Sequence, residues 1–73
     1  METEIQINTE YITLGQLLKM ADLIQSGGMA KWFLSEYKVY VNNEEDQRRG
    51  RKLYPNDRVE IEEVGLFVIK AEL

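Results

Sequence analysis

The chain has no cysteine and no histidine. The first absence excludes disulfides and thiolate metal sites. The second removes the commonest general base and the commonest metal ligand. No apolar run approaches the ~20 residues that a membrane span needs. The opening Met1-Glu2-Thr3-Glu4 lacks the positive-then-apolar plan of a signal peptide. No nucleophile stands beside a base, and the Glu44-Glu45-Asp46 run lacks the ligand spacing of a calcium loop. The expectation is a cytoplasmic, non-enzymatic protein without cofactor, metal or membrane, monomeric and forming one domain over residues 1–73. A chain of this length buries only about 60% of its unfolded surface, so its margin of stability is thin.

What is present is a concentration of positive charge. Net charge is −4, yet Arg48-Arg49-Gly50-Arg51-Lys52 places four cations within five residues. Residues 1–30 carry one lysine against four acids, residues 31–58 seven cations against five acids, and residues 59–73 one lysine against four acids. The middle of the chain is therefore positive between two negative ends. Screening over about 8 Å at physiological salt lets such a patch act despite the opposite overall sign. Arginine suits phosphate because its planar fork donates two parallel hydrogen bonds. The bland alternative is a solvated loop neutralised by Glu44, Glu45 and Asp46.

The surrounding pattern is α+β. Ile5 and Ile7 alternate with polar residues as in a strand. Thr13 and Gln16 have the spacing of a capping box, and Leu14, Leu17, Leu18 and Ala21 form one apolar stripe. This helix is expected to end near Ile24, with Gly27-Gly28 supplying the unusual dihedrals of a tight reversal. A second helix follows with Ala30, Phe33, Leu34 and Tyr37 on its core side, and Gly28, Lys31 and Ser35 on another. The two helices make an αα hairpin of about twenty-five residues. Val39 and Val41, then Val59 and Ile61, alternate as strands. Asn42-Asn43 and Pro55-Asn56-Asp57 mark turns. Leu66-Phe67-Val68-Ile69 reads as a buried strand that pairs with the N-terminal one.

This order of elements resembles the S-four RNA-binding domain, the family of ribosomal small-subunit protein four. The match runs from Asp22-Leu23-Ile24-Gln25-Ser26 through Ala30-Lys31, Phe33-Leu34 and Lys38-Val39-Tyr40-Val41-Asn42. It resumes at Arg51-Lys52-Leu53 and Tyr54-Pro55-Asn56-Asp57-Arg58-Val59-Glu60-Ile61, covering roughly residues 13–63. The string Ser26-Gly27-Gly28-Met29-Ala30-Lys31-Trp32-Phe33-Leu34 is closer still to the small stand-alone bacterial YaaA/YbcJ-like members. The resemblance implies the alpha-L RNA-binding motif, an αα hairpin packed on a small, mostly antiparallel β-sheet. It also implies that the second helix and the strand-loop form one positive face for structured RNA, chiefly ribosomal. Carried over by position, that face includes Ser26, Lys31 and Lys38. The chain departs from the pattern at Gly27, where many members are basic, and at Asn43 and Asn56, where the family usually has glycine.

Together these readings name Ser26, Gly28, Lys31, Lys38, Arg48, Arg49, Arg51 and Lys52 as candidate RNA contacts. The expected role is binding of ribosomal RNA during ribosome assembly, maturation or translation. Trp32 and Tyr40 are candidate stacking aromatics, while Tyr54 reads as packing. The rival reading is a protein-interaction module or regulator whose basic loop docks on an acidic protein surface, with Trp32 as anchor.

Overall fold

A computed structural model of the chain describes residues 2–72. Nine elements follow in order: β1 Glu2–Ile7, β2 Ile12–Thr13, α1 Leu14–Met20, α2 Met29–Glu36, β3 Val39–Val41, β4 Glu44–Glu45, β5 Lys52–Leu53, β6 Arg58–Ile61 and β7 Gly65–Ala71. The principal sheet has the order β1-β7-β6-β3-β4. All its pairings are antiparallel except β1 with β7, which run parallel with Ile5 opposite Ile69. β2 and β5 form a separate two-stranded sheet.

The period-2 pattern sets which sheet face is covered. Val39, Val41, Val59, Ile61 and Ile69 point inward with Ile5 and Ile7, and meet Leu14, Leu17 and Leu18 of α1 and Ala30, Phe33 and Leu34 of α2 in one cluster. Tyr37 extends α2's apolar side, its ring stacked on Phe33 at 4.6 Å. Among the described residues, no helix is long and apolar enough to cross a membrane.

The turns show how the strands are held. Asn42 and Asn43 have φ of 52° and 72°, the left-handed pair that a two-residue hairpin needs. Asn42 also accepts from the Arg58 amide at 3.0 Å and donates to the Asp57 carboxylate at 3.1 Å. That carboxylate accepts the Tyr54 amide at 2.8 Å, so a single acid fastens the Pro55-Asn56 turn to the β3–β4 hairpin.

The link between the helices differs from the sequence expectation. Helix α1 stops at Met20, not near Ile24, and residues 21–28 separate it from α2. The cause is a Schellman ending. The Asp22 amide donates to the Lys19 carbonyl at 3.0 Å and the Leu23 amide to the Leu18 carbonyl at 2.9 Å. Asp22, rather than a glycine, takes the left-handed conformation, at φ 63°. Gly28 is an ordinary right-handed residue at φ −66°. A Cβ there would meet only the Ser26 hydroxyl, at 4.0 Å, and one at Gly27 would meet nothing within 4 Å. The reversal therefore does not depend on the glycine pair.

Two substitutions test this packing. Leu17→Ala removes a fully buried side chain and should cost about 3 kcal/mol, read by urea denaturation. Asp22→Gly relieves a left-handed Cβ and should add about 0.5 kcal/mol, after the extra entropy of an unfolded glycine is subtracted. A destabilised Asp22→Gly protein would show that the aspartate carries some other structural role.

Candidate nucleic-acid interface

The first turn of a helix leaves backbone amides without partners. In α1 the basic loop supplies them. The Leu14 amide donates to the Arg51 carbonyl at 2.8 Å and the Gly15 amide to the Arg49 carbonyl at 2.9 Å. The Gln16 amide donates to the Thr13 hydroxyl at 3.2 Å, and the Thr13 amide to Gln16 Oε1 at 2.8 Å, which completes the capping box. Thr13 pairs with Lys52 and Ile12 with Leu53 across the β2–β5 ladder. The loop is thus a built part of α1's start.

Asp46 holds the other side of the loop. Its carboxylate accepts from Arg48 Nε at 3.0 Å and Nη2 at 2.7 Å, from the Arg48 amide at 3.0 Å, and from Arg51 Nη1 at 2.8 Å. The Asp46 side chain is only 9% exposed, against 26% for Arg51 and 75% for Arg48. Gln47 adds a tie to α2 by donating to the Leu34 carbonyl at 2.9 Å. The hydrogen bonds from the Arg48 guanidinium hold the Asp46 carboxyl well below the usual carboxylate range, and partial burial opposes them only in part. The same pairing raises the Arg48 pKa. Of the three acids read as neutralising the loop, only Asp46 pairs with its cations among the described residues. Glu44 and Glu45 are exposed in β4, but Asp46 turns inward and organises two of the four cations.

The remaining cations are disposed differently. Arg49, Lys52, Lys31 and Lys38 are exposed and make no ion pair among the described residues. Lys52 Nζ stands 4.9 Å over the Tyr11 ring. Arg49 lines an open hollow of about 470 Å³ with Lys19 of α1, Gly27, and Ala30 of α2. The loop and both helices therefore meet at Arg49. Ser26 and Gly28 are exposed just before α2, and Lys31 follows Ala30 along it. Lys38 lies between α2 and β3, its carbonyl accepting the Glu62 amide at 2.9 Å.

Lys19 escaped the sequence reading, because an isolated lysine late in a helix looks like an ordinary surface residue. Its place in a last turn favourable to cations was visible, but its proximity to Arg49 was not. The aromatics also rearrange. Trp32 is 55% exposed on α2. Tyr54 is 43% exposed, beyond what packing implies, with its ring 5.6 Å from Tyr11. Tyr40 sits half-buried on the opposite sheet face, flanked by Glu45 and Glu60. No group of three or more histidine, cysteine or acidic residues is placed to hold a metal ion among the described residues.

Comparison with known proteins adds two findings. A family model described as S4 domain matches residues 5–69. A protein of Bacillus subtilis (strain 168) named "Probable ribosome maturation protein RlbA" is 67% identical over 69 residues, covering 94% of this chain and 97% of that protein. No solved structure matches the chain significantly.

The depressed Asp46 pKa fixes the sign of a pH effect. Stability from an acid with a lowered folded pKa is fully present above its unfolded value, near 3.9, and is lost as pH falls through the folded value. Asp46→Asn should therefore lower the melting temperature by several degrees between pH 5 and 7. The gap to the unsubstituted protein should narrow below about pH 4, where the unfolded carboxyl is itself protonated. A gap that is constant down to pH 2 would rule out the ion pair as its source.

Proposed function

Because the chain belongs to the S4 domain family, we propose that it is a non-catalytic RNA-binding protein that binds structured ribosomal RNA and serves ribosome maturation. The carrying observation is the convergence of Arg49 with Lys19 and the start of α2 around one hollow, with Lys31 next in sequence to its lining residue Ala30 and Lys52 paired with its lining residue Thr13. The name of the Bacillus subtilis relative supports the ribosomal setting. The two helices and the strand-loop then work together as the alpha-L motif.

The loop cations divide their work. Arg51 and the inner edge of Arg48 engage Asp46 and hold the loop's shape. Arg49 and Lys52, together with Lys19, Lys31 and Lys38, face solvent without acid partners among the described residues, and grip backbone phosphates. Arg48, largely exposed, adds its free outer edge. Ser26 and the Gly28 amide, at the entry of α2, add contacts to that grip. Contacts of this kind position a protein on RNA without reading sequence, so recognition is of shape.

The test is photochemical crosslinking in lysate with sequencing of the bound fragments. The expected result is a sharp peak on one ribosomal RNA helix. With that fragment as ligand, Arg49→Ala with Lys52→Ala should weaken binding and reduce the slope of log K against log salt by about 2, near one unit for each phosphate contact. The fold should be preserved, because neither side chain is part of the Asp46 brace. Absence of RNA enrichment over the double variant would transfer the basic loop to an acidic protein partner.

A further inference from the structure

Next to the Arg49 hollow lies a second open hollow, of about 850 Å³, between the β1–β2 connection and α1. Thr13 and Gln16 line both. Their chemistry is opposite. Among the described residues, the first is lined by Arg49 and Lys19 and by no carboxylate, whereas the second is lined by Glu10 and Glu72 and by no cation, Lys52 standing 4.9 Å over the Tyr11 ring. A phosphate is favoured in the first and repelled from the second.

What the second hollow offers is amide edges and a ring. Gln6, Asn8 and Gln16 line it with Tyr11 and Met20. Amide side chains present both donors and acceptors, the pattern found on nucleobase edges. Gln16 Oε1 is already taken by Thr13, while its Nε2 makes no hydrogen bond among the described residues. Tyr11 links the hollow to the basic loop, since Lys52 stands over its ring and Tyr54 steadies it from the side. The volume falls within the roughly 300–1,000 Å³ of small-ligand sites.

Resting on the RNA-binding reading above, we propose that this hollow is a nucleobase subsite. One unpaired base of the RNA stacks on Tyr11 and meets the amide side chains, while its adjoining phosphate lies between Arg49 and Lys19. The carboxylates exclude a second phosphate and so set the direction in which the strand enters. Recognition of shape by the basic face is thereby joined to a requirement for an unpaired nucleotide beside a helix.

The test uses the full chain crosslinked to RNA by ultraviolet light in lysate, then digested with nuclease and trypsin. Mass spectrometry should find a nucleotide adduct on Tyr11. Tyr11→Leu should lower the RNA recovered about tenfold, within the range for loss of one base stack, while Tyr11→Phe keeps the ring and should recover wild-type amounts. RNA recovered normally with adducts confined to Trp32 or Tyr40, or undiminished by Tyr11→Leu, would overturn the subsite and leave RNA binding intact. No RNA recovered by the unsubstituted protein would bring down both.

Discussion

The structure depends on where the first turn of α1 finds its hydrogen-bond partners. A helix of seven residues is marginal by itself. Here its leading amides are satisfied by the carbonyls of Arg49 and Arg51 and by the Thr13 hydroxyl. The helix start and the basic loop consequently form together. Asp46 completes the unit by drawing Arg48 and Arg51 back across the loop. An acid within a basic patch reduces net attraction for a polyanion, but it offsets the mutual repulsion of neighbouring cations and fixes their directions. Binding then requires little further ordering of the loop, and cutting that cost is the usual route by which preorganisation strengthens binding.

Charge is divided between the faces. The loop and helices carry most of the exposed cations, while the outer sheet face carries Glu2, Glu4, Glu45 and Glu60 around Tyr40, Leu66 and Val68, against Arg58 and Lys70. A polyanion approaching at random is attracted to one side and repelled by the other. The overall acidity of the chain, which argues against a nucleic-acid partner when taken as a sum, orients the molecule when taken as a distribution.

Much of this was legible in the residues. The Ile5/Ile7 alternation, the Thr13–Gln16 box, the leucine stripe of α1 and the two asparagine-rich turns each rest on local rules that tertiary packing left in place. The pairing of the last strand with the first was also readable from its unbroken apolar run, but its parallel direction was not. Strands β2, β4 and β5 were not legible, because two residues carry no period. The α1 ending was misplaced because Asp22 occupies a position where glycine is the usual signal. Within the site, the local run identified the cations, but not their division into braced and free. That division comes from Asp46 turning inward, and the meeting of Lys19 with Arg49 comes from the packing of α1 on the loop. Both are properties of the fold.

The central claim, that the Asp46 brace keeps the basic loop docked on α1, is tested most directly by amide hydrogen exchange. Leu14 and Gly15 donate to the loop carbonyls, so their exchange reports the loop's attachment, whereas the Val59 and Ile61 amides report the sheet. In Asp46→Asn at neutral pH, the account predicts faster exchange at Leu14 and Gly15 with the sheet amides still protected. Unchanged protection at both helix amides would contradict it and show that the loop is held without the acid.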